Sequence, residues 1–215
     1  MERLATYAIL APPILLALTL HEYAHARVAD SLGDPTPRLS GRLTLNPLAH
    51  LDLVGTILLF VARIGWAKPV PVNPYYFRDP RAGMLYVSLA GPAANLLTAL
   101  VFGALCRFWG LRSLVPLHGG ALGILEMMLV LAVYINLVLA AFNLIPVPPL
   151  DGSKILAGIL GGNIGRLYGE LGRYGSLFLL AVIAVEMLTG VPILWAAIGP
   201  FVRFFSTLFV GSPLT

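Results

Sequence analysis

Residues 21–25 read His21-Glu22-Tyr23-Ala24-His25. On a helix the two histidines stand one turn apart and share a face, so both imidazoles can reach one metal ion. Glu22 then lies beside that ion, placed to take a proton from water in a metal-assisted hydrolysis. Two histidines leave such a site incomplete, because a catalytic zinc takes a third protein ligand and keeps a position open. The candidate third ligand lies far downstream, in Phe142-Asn143-Leu144-Ile145-Pro146-Val147-Pro148-Pro149-Leu150-Asp151-Gly152. There an apolar helix is broken by three prolines in four residues, and Asp151 follows the break. Asn143, on the last turn before it, carries an amide donor able to hold a substrate carbonyl or stabilise an oxyanion. Each residue also has a plainer reading. The histidines could form a hydrogen-bonded polar spot between helices, Asp151 could be a helix N-cap, and Asn143 could bond a neighbouring helix. Nor is the donor set selective for zinc, since two histidines and a carboxylate also suit other divalent ions.

The elements that must position these groups are membrane helices. Of the 215 residues 58% are hydrophobic and only 11% charged, with a mean hydropathy of +0.86. A soluble domain carries about a quarter charged residues, so the chain is an integral membrane protein. The net charge of +4 does not point to nucleic acid, because the basic residues are scattered through short loops without a run. Cys106 is the sole cysteine, which excludes an internal disulfide. Arg3 followed by an apolar stretch has the outline of a signal peptide, but the histidines sit within that stretch, and it reads as a retained first span.

Span one covers about Leu4 to Val28, with Pro12-Pro13 expected to kink it. Residues 38–45 alternate apolar and polar side chains, which predicts a short strand or hairpin. Leu51 to Ile64 is apolar but has only about 14 residues against the ~20 a spanning helix needs, so a re-entrant or short embedded segment is expected there. Gly65-Trp66-Ala67-Lys68-Pro69-Val70-Pro71-Val72-Asn73-Pro74 follows, and its prolines favour extended chain. Further spans are expected over Met84–Trp109, Ala121–Leu144, about Tyr174–Leu188 and about Val191–Phe209. The expected architecture is an all-α membrane bundle of five spans, one re-entrant segment and a small extended or β-hairpin element. It forms one membrane-embedded domain over 1–215, with a core of 1–160 and a C-terminal helical hairpin over 174–209.

Seven of the 14 basic residues lie from Arg27 to Arg81 and three from Lys154 to Arg173, while 110–120 holds only Arg112. The positive-inside rule therefore puts 27–81 and 152–174 in the cytoplasm, the N-terminus outside and the C-terminus inside. If residues 51–64 crossed fully, Asp151 would face away from His25, so the metal hypothesis and the charge count both need a returning segment. Asn95 and Asn136 read as interhelical hydrogen-bonding residues and Gly91 as a close-packing one. His50, beside Asp52, is expected at headgroup level, and His118 in the outer loop. Glu126 and Glu186 are expected to be solvated near outer span ends, and Trp66, Trp109 and Trp195 to anchor at interfaces.

His-Glu-x-x-His in one membrane helix, paired with Asn143-Leu144-Ile145-Pro146-Val147-Pro148-Pro149-Leu150-Asp151-Gly152 in a later one, resembles the site-2 protease family of intramembrane zinc metalloproteases. The Gly91-Pro92-Ala93-Ala94-Asn95 opening of the intervening span is also similar, and the resemblance covers residues 1–160. The chain looks like the short bacterial and archaeal branch, without a PDZ or CBS domain. The resemblance implies one Zn2+ held by His21, His25 and Asp151, Glu22 as general base, and Asn143 contacting the substrate backbone. It implies a multi-pass cell-membrane protein, its site toward the cytoplasm, that cleaves single-span membrane proteins in or near their transmembrane helices. Residues 38–45 and 66–73 are the candidate edges for pairing with an unwound substrate. The rival readings are a catalytically silent relative that binds membrane proteins, against which the intact Glu22 argues, and a metal or ion transporter using the same histidines. The latter would need a polar path through both leaflets, and 84–141 offers only scattered asparagines.

Overall fold

The computed structural model describes residues 2–53, 55 and 67–214, and for 2–5, 163–171 and 173 the backbone alone. The expected re-entrant stretch 51–64, and Trp66, lie almost wholly outside the described residues. Among those described, the chain forms α1 (Glu2–Ser31), a short α2 (Thr36–Leu39), 3-10 turns at Pro47–His50 and Pro74–Tyr76, α3 (Pro80–Phe108), α4 (Gly120–Asn143), α5 (Asp151–Leu160), α6 (Gly162–Thr189) and α7 (Ile193–Val210). Among the described residues, four stretches are long and apolar enough to cross a membrane: Thr6–Ser31, Pro80–Phe108, Gly120–Asn143 and Ile193–Val210. The stretch Tyr174–Thr189, in the second half of α6, is apolar but shorter.

α3 is the central element, packed on α1, α4, α5 and α7. Its start is set locally, with Pro80 in the first turn and the Asp79 carboxylate accepting from the Arg81 and Ala82 amides at 2.9 and 3.1 Å. Lipid tails are as apolar as leucine, so burial alone does not drive these helices together; close packing of small and β-branched side chains does. The core holds Ala99, Cys106, Val130, Val133, Ala141, Ile198, Val202 and Val210 together with Leu111, Leu137 and Leu214, while Leu97, Leu100, Val101 and Phe108 face outward. At Gly103 a Cβ would stand 2.7 Å from the Phe209 Cβ, so glycine there lets α7 lie directly on α3.

α1 runs antiparallel to α3, since Ala17 meets Asn95 and His25 meets Val87. α7 runs parallel to α3. Phe209 packs at Gly103, the Leu208 carbonyl accepts from Arg107, and Ser212 donates to the Arg112 carbonyl. The last helix therefore ends at the Phe108 end of the bundle, alongside the start of α1. α6 follows α5 directly, its Gly175 lies against Pro148, and its Glu186 accepts from the Leu194 amide at 3.0 Å where the chain enters α7.

Residues 38–45 form no strand, and the described residues contain only an isolated antiparallel bridge, Leu51 with Ala67. Residues 36–39 are helical instead. Buried Asp34, one residue before the Pro35 N-cap, accepts from the Thr36 amide at 2.9 Å, and Pro37 presets the first turn, so local turn chemistry overrides the alternating pattern. Residues 67–73 are extended, as their prolines require, and are pinned as a strap across the end of the bundle. Lys68 N–H donates to the His50 carbonyl at 2.9 Å and Asn73 N–H to the other Asp34 oxygen at 2.7 Å. Arg42 donates to the carbonyls of Ala49 and Lys68.

Candidate metal centre

His21, Glu22 and His25 lie on the last third of α1 and are all buried. Asp151 is brought to them by the break after α4. Gly152 sits where a Cβ would collide with the Leu144 and Ile145 carbonyls, so only glycine lets the turn curl back tightly enough to begin α5 here. The carboxylate does not act as an N-cap: Leu150 holds that position, and Asp151 is the first helical residue. One of its oxygens, Oδ2, stands 3.2 Å from His21 Nε2 and 3.1 Å from His25 Nε2, and the two Nε2 atoms are 3.0 Å apart. Among the described residues, these three form the one group of histidine, cysteine and carboxylate ligand atoms close enough to share an ion.

The protonation of this triangle follows from its surroundings. His25 Nδ1 faces the Val87 carbonyl at 2.6 Å, and a carbonyl only accepts, so the proton is on Nδ1. His21 Nδ1 faces Asn95 Oδ1 at 2.6 Å, and it too carries the proton. In the neutral imidazoles the Nε2 lone pairs are therefore directed at each other and at a carboxylate oxygen. Three such acceptors at 3.0–3.2 Å repel unless a positive centre, a metal ion or a proton, lies among them. The separations fit zinc, for which bonds of about 2.0–2.1 Å in a tetrahedron put ligand atoms about 3.3 Å apart. Lys154 Nζ stands 3.5 Å from Asp151 Oδ1, a neighbouring positive charge that favours the ionised carboxylate.

Glu22 is held from the strap, its Oε2 accepting from Val70 N–H at 3.1 Å. Val70 lies between Pro69 and Pro71, so its amide is the one donor in that stretch of three residues. Gly91 lies under the site, where a Cβ would stand 2.6 Å from Cε1 of both imidazoles and closer still to His25 Nε2. An apolar groove of about 630 Å³ between α1 and α3 is lined by Leu20, Tyr23, Ala24 and Leu97, and none of the three candidate ligands lines it.

Asn143 is not joined to the triangle by a hydrogen bond. It is half-buried at the end of α4, and its amide donates to the Leu139 carbonyl at 3.1 Å. Asn95, Gly91, Val70 N–H and the Val87 carbonyl are the supporting groups that sequence reasoning did not assign to the site. Two of them had a readable sign: Gly91 and Asn95 are four residues apart, the spacing of His21 and His25 on the helix they face.

Other expected placements change. His50 is buried and donates from Nε2 to the Thr44 carbonyl at 2.9 Å, serving the loop under the strap rather than the headgroups. Glu126 is buried and accepts from the Leu117 and His118 amides at 2.8 and 3.1 Å and from His118 Nδ1 at 2.6 Å, which folds the outer loop onto α4. Trp195 turns inward against Tyr134, while Trp109 stays exposed.

Comparison with known proteins gives the context for this geometry. Residues 113–185, which include Asn143 and Asp151, match the model of peptidase family M50. The chain is 37% identical over 201 residues to YwhC of Bacillus subtilis strain 168, covering 91% of this chain and 90% of YwhC. It is 31% identical over 182 residues to Rip2 of Mycobacterium tuberculosis H37Rv, covering 82% of this chain and 66% of Rip2. It is 25% identical over 161 residues to MJ0392 of Methanocaldococcus jannaschii, covering 75% of this chain and 37% of that protein. All three carry the name zinc metalloprotease. No solved structure matches the chain.

Proposed function

This chain belongs to peptidase family M50, the site-2 proteases, and is a multi-pass membrane zinc protease; we propose that His21, His25 and Asp151 hold the zinc and that the substrates are single-span membrane proteins cut in or near their transmembrane helices. The observation that carries the ligand assignment is the convergence of two Nε2 atoms and one carboxylate oxygen at 3.0–3.2 Å, close to the spacing of ligand atoms around a single zinc. When bound there, zinc acidifies water and polarises a peptide carbonyl, supplying a nucleophile where bulk hydroxide is absent.

The chain's own residues do the rest. Glu22 accepts a proton from the attacking water as the new C–O bond forms and returns it to the departing nitrogen as the C–N bond breaks. The Val70 amide holds the Glu22 carboxylate in one orientation for both transfers. Asn143, at the edge of the proline-broken turn, is the donor for the substrate carbonyl once its amide leaves Leu139. A transmembrane substrate has to unwind before its carbonyls can be reached, and the strap 67–73 offers extended backbone beside Glu22 on which such a segment can lie.

The site faces the cytoplasm in this reading. Arg27, Arg38, Arg42, Lys68, Arg78, Arg81 and Lys154 gather at the metal end of the bundle, against Arg3, Arg107, Arg112 and Arg203 toward the other. The deciding experiment is cleavage of a model single-span substrate by wild-type protein and by Glu22→Gln, with zinc content measured on both. Wild-type cleavage, lost in Glu22→Gln while the zinc is kept, supports the assignment. Equal cleavage by the two removes Glu22 from the mechanism.

A further inference from the structure

We infer that Asn95 is a positioning residue that sets the tautomer of His21, and that Asn136 in turn sets Asn95; this rests on the ligand assignment above. Asn95, on α3, is completely buried and hydrogen-bonds to α1 and α4. Its carboxamide has one accepting end and one donating end. The donating end faces the Ala17 carbonyl at 3.1 Å and Asn136 Oδ1 at 2.8 Å. The Asn136 oxygen is itself fixed in place, because its Nδ2 donates to the Ala132 carbonyl at 2.8 Å and that carbonyl can only accept. Turning the Asn95 amide over would set its oxygen against two other oxygens and its NH2 against His21 Nδ1. One orientation satisfies every group, so Oδ1 faces His21 and its Nδ1 must carry the proton. The lone pair of His21 is thereby assigned to Nε2, the atom 3.2 Å from the Asp151 carboxylate.

The two histidines differ in how this is done. His25 is oriented by the Val87 backbone carbonyl, which no side-chain change removes. His21 depends on a side chain, so the site can be detuned at Asn95 without touching a ligand. Outer partners of metal-bound histidines are worth about 10- to 100-fold in metal affinity.

The test is zinc affinity by chelator competition, together with the thermal unfolding of the metal-free protein. Asn95→Leu should bind zinc about 10- to 100-fold more weakly. Asn95→Asp keeps an acceptor toward His21 while weakening the links to Ala17 and Asn136. It should unfold at lower temperature yet bind zinc nearly as tightly as wild type. Asn136→Leu should give an intermediate loss that adds little when combined with Asn95→Leu, because both act through one bond. If Asn95→Asp loses as much zinc affinity as Asn95→Leu, with affinity following stability, Asn95 is interhelical glue and the inference fails. Selective 15N-histidine labelling of the metal-free wild type covers the case in which Asn95→Leu does not fold. His21 should carry the proton on Nδ1, and a neutral Nε2–H tautomer with Nδ1 unprotonated overturns the inference. His21→Ala is the control on the underlying reading: undiminished zinc in that variant defeats the ligand assignment itself, whereas loss there with no effect at Asn95 defeats only the positioning role.

Discussion

Replacing Gly91 by alanine should damage the metal centre while leaving the fold largely intact. The added methyl carbon would stand 2.6 Å from Cε1 of both His21 and His25, about 0.8 Å inside an ordinary 3.4 Å contact. Neither ring can easily yield, since each is tied through Nδ1 at 2.6 Å, one to Asn95 and the other to the Val87 carbonyl. A displacement of that size exceeds by several times the roughly 0.2 Å that metal–ligand distances tolerate. Zinc affinity should therefore fall by at least about 100-fold, or about 2.7 kcal/mol. The effect on folding is smaller and partly cancels. Overpacking costs about 1–3 kcal/mol, whereas alanine in a helix is favoured over glycine by about 1 kcal/mol. Chelator competition for zinc, beside thermal unfolding of the metal-free protein, separates the two. Gly172→Ala is the matched control, because a Cβ there meets nothing within 4 Å. Wild-type zinc affinity in Gly91→Ala would show that the imidazoles are not held against α3 as described, and the reasoning would fail.

Three further outcomes follow from the strap and its supports. Val70→Pro removes the amide donated to Glu22 in a stretch that Pro69 and Pro71 already hold extended, so peptide cleavage should drop about tenfold or more with zinc affinity unchanged; equal loss of zinc would point to a collapsed strap instead. Asp34→Ala leaves the Thr36 and Asn73 amides without their shared carboxylate and should destabilise the protein by about 3 kcal/mol, read as a lower midpoint of thermal unfolding with partial recovery in Asp34→Asn. Arg81 donates to the Gly158 and Ile159 carbonyls at 2.7 and 2.8 Å, so Arg81→Met should cost about 1–2 kcal/mol and speed amide exchange over α5 while leaving α4 unchanged.

Much of the site is legible in the amino-acid sequence because its chemistry is local along the chain. The four-residue spacing of His21 and His25 implies a shared face on any helix, and a proline-broken helix ending in a carboxylate has few other uses at membrane depth. The supports are less legible for physical reasons. Val70 and Val87 contribute backbone atoms, which carry no sequence identity at all. Asn95 and Gly91 act through the register of α3 against α1, a tertiary quantity that one helix's pattern leaves open. The alternation at 38–45 resembles a strand, but Asp34 accepting from the Thr36 amide and Pro37 in the first turn favour a helical turn, and no neighbouring strand among the described residues pairs with that segment. Of the five expected spans, four are long and apolar enough to cross a membrane among the described residues, and the fifth corresponds to the shorter apolar stretch Tyr174–Thr189. Glu126 departs from expectation because a carboxylate near a span end usually meets water, whereas here the outer loop folds over it and supplies three donors.

The most direct test of the central claim is zinc K-edge X-ray absorption on the purified wild-type protein. Two imidazoles and oxygen donors at about 2.0–2.1 Å, at one zinc per chain, are the expected result. A sulfur shell near 2.3 Å, which would bring in Cys106, or a spectrum lacking imidazole scattering, would contradict a centre built from His21, His25 and Asp151.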